Sequence, residues 1–429
     1  MSEAPARTPD CEIEFEGEAV AAVTGEPIAV ALFAHGTKVF SRSAKYHRPR
    51  SFFCLAGHCG ACLMRVDGEP NVRACQSPAR QGRRVERQNA FPSGSLDVLA
   101  AADFFFPRGM DHHTLLTAPR AVNALMQKVV RQIGGLGRLP DGESLVREAS
   151  RRRHVDVVIV GAGPAGLAAA NACAGDGRTI LLVDEGVRPG GSLLSHPAFG
   201  PAVADVLVAR ARDRGVELLS RAGAFGWFPE DDGGTLAVNS DGRLLRITAR
   251  RYVYATGGND VSLRFEDNDR PGIFAARAVG ALLVQHHVVA GRRPIVVGDG
   301  AYAGALAEAL GARGAAVTRV DGRRERVVAA RGKGWVRGLE IETQGRRRRV
   351  DGDVVAIAAR PAPASELPRQ HGVAVQLAAA AGGFACRVDE RGRSRVPEVF
   401  AAGDVCGFGG VAFALAHGER VGAAVAEEL

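Results

Sequence analysis

Val155-Asp156-Val157-Val158-Ile159-Val160-Gly161-Ala162-Gly163-Pro164-Ala165-Gly166 is the stretch that decides the architecture of this chain. Five of its first six residues are apolar, as a strand buried on both faces requires. A G-x-G-x-x-G loop follows, then an Ala-rich helix over 165–174 and a second apolar strand over 179–183. Gly161 permits the tight turn, Gly163 lets a pyrophosphate approach the backbone, and Gly166 lets helix and strand pack closely. The helix N-terminus then faces the phosphates. An acid about 20 residues further on binds a ribose hydroxyl in such units. Counting from Gly161 favours Asp184, while counting back from Gly190-Gly191 favours Glu185, and both stay candidates.

The same order of strand, glycine loop, helix and strand returns at 295–297, 303–310 and 316–320. Its loop reads Gly298-Asp299-Gly300-Ala301-Tyr302-Ala303-Gly304, and Asp321 ends the next strand. An acid there favours NAD over NADP, although Arg323 and Arg324 blur the preference. The alternative is a degenerate unit that binds nothing, because Asp299 would repel phosphates. Two such units imply two Rossmann-type domains. Tyr254-Ala255-Thr256-Gly257-Gly258 resembles the A-T-G turn of two-dinucleotide flavoproteins. Val399-Phe400-Ala401-Ala402-Gly403-Asp404 resembles their late G-D motif, whose aspartate holds the flavin ribityl–phosphate region. A helix cap is the alternative reading of Asp404. A helix follows over 411–428, with Gly418 and Gly422 on its inner turns. The fold class is therefore α/β, two Rossmann-type dinucleotide-binding domains of the thioredoxin-reductase-like kind. A redox-active Cys-x-x-Cys is missing from both units, so thiol–disulfide exchange is not expected.

Upstream, Cys54, Cys59, Cys62 and Cys75 have the spacing C-x4-C-x2-C-x12-C. The first three match the plant-type [2Fe–2S] pattern. Two irons need four converging thiolates, and Gly57, Gly60 and Ala61 leave room for them; backbone N–H groups of the loop can hydrogen-bond sulfur. The alternatives are zinc or structural thiols, but zinc favours paired C-x2-C knuckles and only one is present. Around the loop, 11–22 reads as two short strands, 26–35 as a short helix ended by Gly36, and 63–75 as a hairpin turning at Asp67-Gly68. Segment 103–113, with Phe104-Phe105-Phe106 as an apolar plug, is expected to close this small α+β ferredoxin-like module. The other cysteines, Cys11, Cys173, Cys386 and Cys406, read as small buried hydrophobes.

The expected organisation is a ferredoxin-like domain over 1–113 and a helical linker over 114–153. The first dinucleotide (FAD-type) domain is built from 154–259 and 373–429. The second (NAD-type) is inserted at 260–372. The 429 residues suit about three domains. Apolar residues are 46% and charged residues 24%, ordinary for a globular chain. Glycine is high, 54 residues, and has no collagen period. The net charge of +8 sits in clusters: Arg151-Arg152-Arg153, read as linker, and Arg346 to Arg349, read as a hairpin tip. No aromatics interleave them, so nucleic acid is a poor partner. No apolar run reaches membrane-spanning length. Residues 1–12 lack the apolar stretch of a secretory leader, so a cytoplasmic location is expected. His286-His287 reads as late helix, where a cation suits the dipole. His112-His113 reads as structural.

Three stretches carry a wider resemblance: Lys45-Tyr46-His47-Arg48-Pro49-Arg50, the hairpin from Asp67 to Cys75, and Phe106-Pro107-Arg108-Gly109-Met110-Asp111-His112-His113. They resemble the N-terminal module of the alpha subunit of heterotetrameric sarcosine oxidase. They are also similar to related opine oxidase, hydroxyproline dehydrogenase and hydrogen cyanide synthase subunits. Sarcosine oxidase alpha subunits typically lack the cluster cysteines, whereas this chain keeps all four. The resemblance implies one subunit of an oxidoreductase that acts on C–N bonds, with a separate FAD-containing beta-type subunit oxidising a sarcosine-, opine- or proline-like substrate. It implies FAD, NAD or another adenine nucleotide at the first site and admits an FMN at a subunit interface. This chain would then carry electrons, with no catalytic acid–base pair of its own. The rival readings are a stand-alone NAD(P)H-dependent flavoprotein reductase and a non-redox nucleotide-binding scaffold. Residues 45–50 would hold a flavin phosphate or an acidic partner, or pack modules together.

Overall fold

The computed structural model describes residues 6–43, 48–90, 119–133, 149–230 and 234–429. The expectations for Lys45 to His47, for 103–113 with its phenylalanine plug and His112-His113, and for 114–118 and 134–148 of the helical linker lie outside them.

In the N-terminal module, Cys11–Phe15 and Glu18–Ala22 form an antiparallel pair, and Leu63–Val66 and Glu69–Arg73 form the hairpin. Arg84–Glu86 joins the two pairs into one five-stranded sheet. Alternation of apolar and polar residues puts Ile13, Val20, Met64 and Val85 on the inner face. The helix Ile28–His35 buries its first five residues beneath that sheet and stops at Gly36, which adopts a left-handed conformation. A second helix, Arg120–Ile133, occupies part of the expected helical segment.

The first nucleotide unit is a mixed sheet. Glu217–Leu219, Ile180–Val183, Arg151–Val160 and Arg243–Tyr254 run parallel in that order, and Val399–Ala401 adds beside the end of Arg243–Tyr254. Helices Pro164–Cys173 and Gly410–Glu427 pack together on one face. They can do so because Gly418 and Gly422 face them: a Cβ at either would fall within 2.3 Å of the Ala165 or Ala169 carbonyl oxygen. The inserted unit has a parallel sheet of Ile273–Ala275, Val354–Ile357, Pro294–Val297 and Thr318–Val320. A three-stranded antiparallel sheet, Arg326–Lys333, Trp335–Thr343 and Arg346–Asp351, packs on it.

Three expectations are corrected. Arg151-Arg152-Arg153 is not linker but the start of the strand Arg151–Val160, because the long strand Arg243–Tyr254 supplies partners from Leu245 onward. Arg346 to Arg349 is not a hairpin tip. The turn lies at Gln344-Gly345, and the arginines form an edge strand whose side chains reach Glu340, Glu342 and Glu325. His286-His287 lies beyond the helix Ala276–Val284. Burial pushes His286 down to about 4, so it is a neutral ring rather than a dipole-compensating cation.

The N-terminal module is not a separate bead. Its core continues into that of the inserted unit through Phe33, Phe52 and Phe274. Phe52 stacks on Phe274 at 4.6 Å, Phe33 meets both edge-on, and the Ala275 amide donates to the Phe53 carbonyl. Each buried ring contributes about 1.5–3 kcal/mol, so this junction is firm. The Arg48 and Arg50 side chains reach Asp269 across it, which places the described half of the 45–50 cluster in module packing. Among the described residues no helix is long and apolar enough to cross a membrane.

Candidate cofactor site

The first glycine loop is built as a cradle. Gly161 has a φ of +104°, and a Cβ there would lie 2.3 Å from the Ala255 carbonyl oxygen. At Gly166 a Cβ would lie 1.8 Å from the Gly161 carbonyl oxygen. Only glycine allows this approach of helix to strand. Gly163 caps the helix Pro164–Cys173, and Gly191 comes so near that a Cβ on it would stand 2.8 Å from the Gly163 Cα. The Gly190 amide donates to the Ala162 carbonyl, closing the loop from the other side.

The two acids differ in their hydrogen bonds. Asp184 accepts from the Ala162 amide at 2.6 Å and from the Gly186 amide at 2.8 Å, so both its oxygens hold the loop itself. Burial raises its carboxyl above the usual range. Glu185 is exposed and borders the same cavity. After the strand Val399–Ala401, Asp404 accepts from the Gly409 amide at 3.2 Å, just ahead of the helix Gly410–Glu427, which has no side-chain cap of its own. It also borders the cavity, and burial raises its carboxyl too. Thr256 donates to the Ala364 carbonyl, and the Gly257 carbonyl accepts the Ala364 amide, tying the A-T-G turn to the returning chain. Gly403 fits against Ala165, where a Cβ would come within 2.6 Å.

These elements enclose a cavity of about 280 Å³. The cysteine loop supplies its other wall. Cys54 and Cys75 border the cavity together with Gly161, Gly163, Asp184, Glu185 and Asp404. Cys54, Cys62 and Cys75 are buried, and Cys59 is partly exposed. The four thiols stand near enough to shift one another's acidity, Cys54 with Cys59 and Cys75, and Cys62 with Cys75. The Ala56 amide donates to Cys54 Sγ at 3.4 Å and the Ala61 amide to Cys59 Sγ at 3.5 Å. Their mutual influence drives Cys54 and Cys62 toward thiolate and Cys59 and Cys75 toward thiol. For all four to ionise together as cluster ligands, cationic partners are required, which two ferric or ferrous ions would supply. Four cysteines on one loop and the adjoining hairpin are the donor set that a [2Fe–2S] cluster takes, two ligands to each iron.

Five residues at this junction carried no motif. His58 lies inside the cysteine loop, and its Nε2 accepts the Asp260 amide at 3.0 Å. Asp260 accepts from Arg277 Nε at 2.7 Å, and Arg277 also donates to the Gly258 carbonyl. Gln76 and His286 complete the lining. The only sequence signals were the position of His58 between two ligands and of Asp260 just beyond the A-T-G turn.

The second glycine loop differs. Asp299 forms an ion pair with Arg323, and Asp321 accepts the Arg323 amide. Gly298 starts the loop at a φ of +150°, and a Cβ on Gly300 would meet nothing within 4 Å. The remaining cysteines behave as expected at Cys11, Cys173 and Cys386, which are buried in apolar cores; Cys406 is partly buried.

Comparison with known proteins agrees with these two halves. Residues 9–90 match a 2Fe-2S iron-sulfur cluster binding domain, and residues 155–335 a pyridine nucleotide-disulphide oxidoreductase domain. The chain is 32% identical to the sarcosine oxidase alpha subunit of Rhizobium meliloti, over 80% of this chain and 39% of that one. It is 27% identical to an opine oxidase subunit of the same organism, over 61% of this chain and 69% of that one. Hydrogen cyanide synthase subunit HcnA of Pseudomonas aeruginosa is 36% identical over 20% of this chain and 81% of that one. This chain thus spans about two fifths of the sarcosine oxidase protein it matches. Among solved structures, L-proline dehydrogenase from P. horikoshii superposes with a TM-score of 0.74 at 21% identity, covering 100% of this chain and 75% of that one. T. acidophilum thioredoxin reductase gives 0.53 at 20% identity, covering 64% of this chain and 99% of that one. Both share the fold: a thioredoxin-reductase-like α/β flavoprotein, here preceded by a [2Fe–2S] domain.

Proposed function

We propose that this chain, a relative of the alpha-type subunits of sarcosine and opine oxidases, is the electron-transfer and nucleotide-binding subunit of a multi-subunit amine or amino-acid dehydrogenase or oxidase. The substrate, of sarcosine, opine or proline type, loses its hydride from a C–N-bonded carbon at a flavin in a partner beta-type subunit. The observation that carries the reading is the shared cavity, whose walls are the cysteine loop on one side and the first glycine loop on the other. When bound, a [2Fe–2S] centre passes single electrons and a flavin passes one or two.

The chain's own residues hold and insulate. Cys54, Cys59, Cys62 and Cys75 are the proposed iron ligands. Gly161, Gly163 and Gly166 admit the pyrophosphate to the helix N-terminus. Glu185 is the proposed ribose acceptor, since Asp184 is spent on the loop, and Asp404 stands ready for the ribityl–phosphate region. Gly190, Gly191, Thr256, Gly257 and Gly403 shape the walls. The organisation we propose is 1–113, 114–153, 154–259 with 373–429, and 260–372. A second nucleotide of NAD type at Gly298, Gly300 and Asp321 is the weaker part of the reading, because Arg323 already engages Asp299.

Purification of the chain tests this: about two irons and one flavin per chain are expected. Replacement C59S removes the visible iron–sulfur bands while the flavin is retained; unchanged bands would refute the ligand assignment. Rapid bleaching of the flavin by NADH would instead favour a stand-alone reductase.

A further inference from the structure

Two residues that line the cavity carry buried acceptors without donors. Asp260 has a side chain only 8% exposed. Its Oδ1 accepts from Arg277 Nε, and its own amide donates to His58 Nε2, so the carboxylate is fixed from both sides. Its Oδ2 has no hydrogen-bond partner, and His58 Nε2 stands 3.9 Å away, beyond hydrogen-bond reach. Gln76 Oε1, on the cysteine side of the same cavity, is also buried and unpartnered. An unpaired buried acceptor costs about 1–3 kcal/mol, more when charged. A fold holds such a group at a cavity wall when a ligand supplies the donor.

Resting on the reading that this cavity holds a flavin nucleotide, we propose that Asp260 is a specificity-determining residue whose free Oδ2 accepts the imide N3–H of the flavin ring. Three features of the chain select this group. Anionic oxygens do not suit the position, because a carboxylate repels them. The carboxylate is tied through His58 to the cysteine loop, the side of the cavity that the electron-carrying ring must approach and that the adenine has no need to reach. The pyrophosphate and ribose have their own partners in the glycine loop and Glu185. Asp260 is thus a positioning group for the redox end of the nucleotide, with Arg277 holding its orientation and Gln76 offering a second acceptor.

The test uses the deflavinated chain, titrated with FAD and with FAD methylated at N3, following quenching of flavin fluorescence. The unmodified chain is expected to prefer FAD by about 10- to 100-fold, the worth of one charge-assisted hydrogen bond. D260A is expected to bind FAD more weakly and to lose the preference to within about 2-fold, in line with removal of that bond. Should D260A fail to fold, by circular dichroism and loss of iron–sulfur bands, D260N decides. Arg277 keeps the amide oxygen, so the amide nitrogen faces the ligand as a donor, and the preference for the unmethylated ring disappears. Equal preference in the unmodified chain and the variants, or no preference in the unmodified chain, would overturn the role of Asp260 while leaving the flavin reading intact. Failure of the unmodified chain to bind either flavin would overturn the flavin reading and this inference with it.

Discussion

In the first glycine loop the third small position is Gly166, where a methyl group would lie 1.8 Å from a backbone oxygen; in the second the equivalent place is taken by Ala303, buried and accommodated. Helix and strand approach as closely as backbone allows in the first unit and stand a side chain apart in the second. The acids diverge as well. Asp184 is consumed in holding its own loop, which leaves Glu185 open, while Asp299 sits within the second loop and draws Arg323 across it. Two loops of similar spelling are therefore packed for different duties. The first is tightened around a shared cavity, and the second is closed by side chains of its own.

A single methyl group separates the two loops most clearly. Gly166→Ala should cost about 3 kcal/mol or more through overpacking against backbone and should abolish flavin retention. The mirror change, Ala303→Gly, should cost only about 1 kcal/mol of helix propensity and leave the flavin in place. Urea midpoints and bound flavin per chain measure both.

Acidity provides the next largest effect. Burial depresses His286 and His371 to about 4 in the folded chain. Their unfolded value is about 6.5, so the stability they contribute is present above that pH and is lost as pH falls toward 4. Buried Asp184 and Asp404 have raised values and act oppositely: their contribution is greatest below the unfolded carboxyl range and is lost as pH rises through the folded values. Denaturation midpoints should therefore drop by the equivalent of about 1–3 kcal/mol between pH 7 and pH 4.5. His371→Gln should flatten that slope. A midpoint that rises over this interval would contradict the histidine assignment.

Asp404→Ala removes the acceptor of the Gly409 amide and part of one wall of the cavity. A loss of about 1 kcal/mol in stability is expected from that hydrogen bond, together with weaker flavin retention. Smallest of all is Asp299→Asn. Its partner Arg323 is largely exposed, so stability should change by less than about 0.5 kcal/mol. The informative readout is NADH affinity. A large gain would show that the ion pair alone closes the second loop, and no gain would place the obstacle in the loop's packing.

Much of the site was legible in the chain. The spacing of Cys54, Cys59, Cys62 and Cys75 announces converging sulfurs, since few other uses require four cysteines within so short a stretch. Gly161 to Gly166 announces a phosphate loop, because the strand before it and the helix after it leave the glycines one geometry. The arginine strands were not legible. Arg151-Arg152-Arg153 looks like linker by charge, and only the overhang of Arg243–Tyr254 draws it into a sheet. His286 looks like a helix-end cation, and only the wall of the cavity keeps it neutral.

Local chemistry is written in the chain: which cysteines share one loop, where backbone leaves room for a phosphate, which strands are buried. These are short-range properties, set by spacing within a loop and by periodicity along an element. The tertiary structure alone decided that the cysteine loop roofs the first glycine loop and not the second. It also decided that the N-terminal module shares its core with the inserted unit through Phe52 and Phe274. The junction of His58, Asp260 and Arg277 likewise exists only once three separated segments meet. Contacts between residues 202 positions apart leave no local pattern, because their energy depends on packing rather than on neighbours in the chain.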